Sequence, residues 1–164
     1  MKLETERLLL VPLDARQLRL WIKELSTLER ELNCSYRAEP LTGEFLNIVQ
    51  GQLEIVERDE ANTLFHTFWL IICKKDRAVV GSADFKNVPD QNGQVEIGYG
   101  LGETYRGHGY MTEAVAAMCH WALHEARVNH VIAETECENL PSQRVLERCG
   151  FTQYFAGNTL WWKL

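Results

Sequence analysis

Apolar residues recur along this chain at two different spacings, and the alternation between them predicts the order of elements. Arg7 to Leu13 reads as a first strand, ended by Pro12 and Asp14. Asp14 is placed to cap a helix running to about Leu25. Thr42 opens a second helix, whose Phe45, Ile48, Val49, Leu53 and Val56 recur at helical spacing until the polar run Arg58 to Thr63 closes it. Thr67 to Cys73 is rich in β-branched and aromatic residues, the composition of a strand. Lys75, Asp76 and Arg77 make a turn into a hairpin partner, Ala78 to Phe85. A loop at Asn87 to Gly93 leads to a strand over Gln94 to Leu101. Next come a Gly-rich turn, a helix from about Tyr110 to Glu125 and a strand at Val131 to Cys137. Pro141 to Cys149 is a helix whose first turn tolerates proline and which Gly150 ends. Two last strands flank Gly157 and Asn158. The order β-α-α-β-β-β-α-β-α-β-β predicts an α/β fold: a mixed, mostly antiparallel twisted sheet of about seven strands with four helices on its faces.

Composition narrows what such a fold can do. The 164 residues suit a single domain, 1–164, with 46% apolar and 24% charged residues. The net charge of −6 argues against nucleic acid or an anionic membrane as partner and is compatible with a cationic substrate. Five cysteines, an odd number without a CxxC pair, predict reduced thiols rather than disulfides or a zinc knuckle, with Cys137 and Cys149 expected buried and inert. The start MKLETERLLLVPL lacks the long apolar run of a signal peptide, and no stretch approaches the length of a membrane span, so a cytoplasmic protein is expected. His120 and His124 are four apart, but Trp121 stands where a zincin would carry Glu, and no metal is expected.

The segment Gly102 to Ala114, GETYRGHGYMTEA, carries the chemistry. Gly107 and Gly109 sit between a strand and a helix, where glycine lets the backbone approach a ligand and the helix start offers free N–H groups to phosphate. Arg106 adds a charge beside them. The run lacks GxxxxGK followed by Ser or Thr, and it misses the third glycine of a dinucleotide fingerprint. Coenzyme A and a tight turn that binds nothing are the readings left.

Read with its neighbours, the segment resembles the GNAT superfamily of N-acetyltransferases, and more narrowly the branch that acetylates ribosomal-protein N-termini. The resemblance rests on LETERLLLVPL (Leu3 to Leu13), VEIGYGL (Val95 to Leu101), RGHGYMTEA (Arg106 to Ala114) and ENLPSQRVLERCGF (Glu138 to Phe151), in the family's order and spacing. The loop departs from the family's Q/R-x-x-G-x-G/A pattern in having Thr104 first.

The resemblance implies acetyl-CoA as co-substrate and an amine, either a protein N-terminus or a small molecule, as acceptor. It implies a cofactor site made of Gly100, Leu101, Arg106, Gly107, His108, Gly109, Tyr110, Met111 and Asn139. Gly100 and Leu101 would pair with the pantetheine amides, Asn139 would hold the same arm, and the His108 side chain is expected to point away from the phosphates. An alkyl amine is mostly protonated at pH 7, so a base is required. Glu96, on the strand resembling the cleft edge, is the expected base, acting directly or through water, and Ser142 the expected acid at sulfur. Tyr105 and Tyr110 are further candidate acids, and Trp161 and Trp162 candidate cleft walls, one of them facing the core. The contrasting reading is a non-catalytic acyl-CoA-binding regulatory module.

Overall fold

The computed structural model describes residues 1–164. Its elements run β1 (Leu3–Glu4), β2 (Leu8–Pro12), α1 (Ala15–Lys23), α2 (Leu25–Leu32), β3 (Ser35–Tyr36), α3 (Gly43–Arg58), α4 (Thr63–His66), β4 (Phe68–Cys73), β5 (Ala78–Phe85), β6 (Gln94–Leu101), α5 (Tyr110–His124), β7 (His130–Glu136), α6 (Leu140–Arg148), β8 (Thr152–Ala156) and β9 (Thr159–Lys163). The strands form one mixed sheet in the order β1-β2-β4-β5-β6-β7-β9-β8, with β3 paired to β5. No helix is long and apolar enough to cross a membrane.

Two apolar layers clamp this sheet. Period-two alternation along β4 sends Trp69, Ile71 and Cys73 to one face and Phe68, Leu70 and Ile72 to the other. The first face packs under α5 and α6 with Met111, Val115, Met118 and Leu146. The second is covered by α1 to α3 through Leu18, Trp21, Leu28, Val49 and Val56. Because β4 is buried on both faces, its sequence FWLIIC is continuously apolar rather than alternating.

The α/β class and the element order agree with the sequence reading, while the counts are larger. The first expected strand, β2, is preceded by an extra one, β1, whose Leu3 and Glu4 pair antiparallel with Leu10 and Leu9. Asp14 caps α1 as expected, its carboxylate accepting from the Gln17 N–H at 2.7 Å while Gln17 returns the bond to the Asp14 N–H. The chain then breaks at Glu24 and starts α2, with neither Gly nor Pro to mark the break. Arg77, with φ of 56° in the β4–β5 turn, donates to the Leu32 and Asn33 carbonyls and secures the far end of α2. The two-residue β3 is too short for any periodicity to announce it. Thr42 precedes α3 but makes no side-chain capping bond.

What matters for function is the middle of the sheet. β6 and β7 are parallel, joined over α5, and pair only at Gln94–His130, Val95–Val131 and Glu96–Ile132. Beyond Glu96 the strands part: β6 stays paired with β5 as far as Leu101, and β7 pairs with β9. The β7-facing backbone edge of Ile97 to Leu101 is therefore left free inside the sheet.

Leu70 is fully buried at the centre of the α1–α3 layer. Leu70→Ala is expected to cost about 2–5 kcal/mol. For a chain of this size that lowers Tm by roughly 5–20 °C, measurable by calorimetry.

Candidate active site

The gap between the parted strands opens into a cleft of about 490 Å³ lined by β6, the loop 106–109 and the starts of α5 and α6. Gly107 and Gly109 both hold positive φ, 83° and 77°, which only glycine adopts without strain at this turn. Gly109 is the N-cap of α5 and has no side chain to satisfy the first-turn N–H groups. Those of Tyr110, Met111 and Thr112 remain available at the cleft, carrying the positive end of the helix dipole. Arg106, Arg144 and Arg148 complete the wall, and no carboxylate lines it. In a protein of net charge −6 this is a locally cationic wall, of a charge suited to a polyanion.

A carboxylate does stand in the first turn of α5, and the N-terminal segment holds it aside. Glu113 accepts from the Thr5 hydroxyl at 2.5 Å, the Arg7 N–H at 2.8 Å and Arg7 Nε at 2.7 Å. Burial pushes the Glu113 carboxyl up, but these donors outweigh it and hold the group below its ordinary range. Arg7 Nη1 also donates to the His108 carbonyl at 2.8 Å, and its guanidinium lies 4.6 Å from the Tyr110 ring centre. One arginine thus fixes the glycine loop, the helix start and the carboxylate that would compete for the same N–H groups. No residue of the LETER segment lines the cleft, and neither its Thr5 and Arg7 nor Glu113 of RGHGYMTEA drew a role from the motifs.

A second cleft, of about 810 Å³, lies on the α3 side of the sheet and shares Tyr99, Gly100, Asn139 and Ser142 with the first. Glu39, Glu44, Asp84, Glu134 and Glu136 line it against a single cation, Lys86. At the junction the Tyr99 hydroxyl lies 2.8 Å from Ser142 Oγ. Burial pushes the Tyr99 phenol up to about 12, partly offset by that hydrogen bond, so it stays protonated at neutral pH. Asp84 is partly buried, and burial pushes its carboxyl up to about 6, with Lys86 pulling it down and Glu96 pushing it up.

The structure gathers most of the residues singled out from the sequence. Gly100, Leu101, Arg106, Gly107, Gly109, Tyr110, Met111, Asn139 and Ser142 all line the first cleft. His108 does not; it is exposed beside the Tyr110 ring. Glu96 lines neither cleft, and its carboxylate is 2.9 Å from Lys86 Nζ. Asn139 Oδ1 accepts from the Ser142 N–H and caps α6, which leaves the Ser142 hydroxyl to Tyr99. Tyr105 packs against the core, and the Tyr110 hydroxyl lies 3.7 Å from Cys73 Sγ. Trp162 faces the core, and Trp161 lines neither cleft. Cys137 is exposed and Cys149 only partly buried, contrary to expectation, because Cys137 lies in the turn just after β7 and Cys149 at the C-terminal cap of α6. Tyr99 and Asp84 were missed: Tyr99 stands within VEIGYGL without a feature that gives it a role, Asp84 lies outside the quoted segments, and only the sheet register brings both to the clefts.

The description "Acetyltransferase (GNAT) domain" matches residues 7–152. The chain is a GNAT acetyltransferase. Like its family it takes the acetyl group from acetyl-CoA. It is 32% identical over 149 residues to the uncharacterized N-acetyltransferase YjdG of Bacillus subtilis, covering 91% of this chain and 88% of that one. The ribosomal-protein-serine acetyltransferase of Escherichia coli is 27% identical over 103 residues, 63% of this chain and 54% of its own. Among solved structures, the ribosomal-protein-S5-alanine acetyltransferase of Vibrio fischeri superposes with a TM-score of 0.70 at 18% identity, covering 100% of this acetyltransferase and 96% of that chain. The ribosomal L7/L12 alpha-N-protein acetyltransferase RimL, solved in complex with coenzyme A, gives 0.69 at 18% identity over 100% and 97%.

Two substitutions, Gly109→Val and Arg7→Ala, each with a control, probe the first cleft of this acetyltransferase. Gly109→Val forces a β-branched residue to a φ of 77° and brings a Cβ 3.4 Å from Arg7 Nη2. It is expected to abolish measurable acetyl-CoA binding by calorimetry, whereas His108→Ala binds as the wild type does. Arg7→Ala releases Glu113 toward the helix start and is expected to weaken acetyl-CoA roughly 10-fold or more, with Glu113→Gln in the Arg7→Ala background recovering part of the loss.

Proposed function

We propose that this acetyltransferase, with residues 1–164 acting as one domain, transfers the acetyl group directly to a primary amine while both substrates are bound. The observation that supports this reading is the meeting of two clefts of opposite charge at Tyr99 and Ser142. The arginine-lined cleft suits the phosphates of coenzyme A; the carboxylate-lined cleft suits an ammonium group. The first residues to fit the cofactor are those with unpaired backbone: the first turn of α5 for the pyrophosphate and the free edge of β6 at Gly100 and Leu101 for the pantetheine amides. Asn139 stands where it can steady the same arm.

Acetyl-CoA supplies a thioester whose carbonyl carbon accepts the amine nitrogen and whose sulfur leaves as a thiolate. Ser142, backed by the Tyr99 hydroxyl, is placed to give that thiolate a proton or a hydrogen bond. A thiol ionises near pH 8.5, so the departing sulfur needs only modest help. The acceptor reading favoured here is an α-amine at the end of a protein chain. An α-amine ionises near pH 7.7–8.0 and a lysine side chain near 10.4, so the former is far easier to deprotonate at neutral pH. The ribosomal-protein acetyltransferases among its relatives support the same choice. Five free thiols are in keeping with work in the reducing cytoplasm.

Acetyl-CoA at a hundredfold excess over its Kd stabilises by about 2.7 kcal/mol, a Tm rise of roughly 5–10 °C, and NADH is expected to give none. Release of coenzyme A thiol on adding an unblocked peptide decides between turnover and mere binding. Ser142→Ala is expected to lower kcat toward 10²-fold while leaving acetyl-CoA affinity and Tm nearly intact. Wild-type turnover in that variant assigns the acid elsewhere.

A further inference from the structure

We infer that Asp84 is the group that receives the acceptor's ammonium and takes its proton, and that Glu96 serves it by holding Lys86 away. This rests on the proposed amine-acetylating function. Asp84 sits on β5 directly opposite Gly98 of β6, on the floor of the acidic cleft. Its Oδ1 lies over the Gly98 backbone, 3.0 Å from where a Cβ would stand, so the carboxylate occupies space that only glycine leaves open. Gly100, where the two clefts meet, is two residues farther along the same face of β6, a step of about 7 Å.

Partnering separates the two carboxylates. Glu96 Oε1 is bound to Lys86 Nζ at 2.9 Å and lines neither cleft. Asp84 lines the cleft and accepts no hydrogen bond or ion pair from any protein group within it, so an incoming ammonium finds a free acceptor. Other charged or titratable groups surround it: Lys86 just past the end of β5, Glu96 from β6, Glu134 and Glu136 from β7, and Tyr36, Glu39 and Glu44 from the opposite rim. All but Lys86 are acids or a phenol, which draws a cation inward and keeps the cleft from neutralising Asp84. Burial also raises the proton affinity of Asp84 toward that of an α-amine, shortening the gap the proton must cross.

The step balances without a further reactant. Asp84 takes one proton from R–NH₃⁺. The freed nitrogen lone pair forms the N–C bond to the acetyl carbonyl, and the C–S bond breaks with its electrons on sulfur. The second nitrogen proton passes to the thiolate through Ser142, and Asp84 returns its proton to water. The products are the amide, the thiol and one proton.

The test measures kcat/KM against pH for the wild type, Asp84→Asn and the double variant Lys86→Met with Glu96→Gln. The probes are acetyl-CoA and two acceptors, a serine-led unblocked tetrapeptide and putrescine. Asp84→Asn is expected to lose roughly 10²-fold or more at pH 7, with unchanged acetyl-CoA affinity and a loss that shrinks as rising pH deprotonates the amine unaided. Its Tm should exceed that of the wild type above about pH 6, because a carboxyl whose folded pKa is raised costs stability once ionised, and the difference should vanish below about pH 4. The double variant, which removes Glu96 and the cation it restrains together, should stay within about tenfold of the wild type. An active wild type with an equally active Asp84→Asn overturns the role of Asp84. A double variant as inactive as Asp84→Asn returns the base to Glu96. A wild type that acetylates neither acceptor overturns the amine reading itself.

Discussion

The site depends on an interruption of pairing. A buried strand edge normally finds a partner for every N–H and C=O, since leaving one without is costly. Here β6 and β7 pair at three positions and then part, leaving Ile97 to Leu101 with an unspent edge in the middle of the sheet. Each strand keeps its other neighbour, so the fold survives the break: β5 holds β6 and β9 holds β7. The gap is thus both an opening through the sheet and a row of hydrogen-bonding groups suited to an extended amide-bearing arm.

Charge is sorted around that opening. The arginines come from the loop before α5 and from one face of α6, where Arg144 and Arg148 are a helical turn apart. The carboxylates come from the opposite face of the sheet and from the start of α3. One mouth thus has the charge that suits a polyanion and the other the charge that suits a cation, and the hydroxyls of Tyr99 and Ser142 lie where the two clefts meet. The N-terminal segment maintains this sorting from outside. By engaging Glu113, Arg7 keeps a negative charge from spoiling the positive end of α5.

Much of this was legible in the residues. Helical spacing marked α3, β-branched and aromatic composition marked β4, and the glycines at 107 and 109 announced a backbone-lined turn because only glycine relieves the left-handed conformation found there. Asp14 marked the start of α1. Local sequence determines such features because the interactions that create them lie within four residues of one another.

Tertiary structure alone decided the rest. The break between α1 and α2 carries no Gly or Pro; it follows from burying Leu18, Trp21 and Leu28 against one sheet face. Nothing near Asp84 sets it apart in the sequence, yet the β5–β6 register places it over Gly98 inside a cleft, while Glu96, two residues before that glycine, is drawn to Lys86. The sequence by itself determined the class of fold, the glycine turn before α5 and the family. Which carboxylate is free, and which hydroxyl meets Ser142, was set by contacts from Lys86 to Glu96, from Asp84 to Gly98 and across 43 residues from Tyr99 to Ser142, separations over which no local pattern reports.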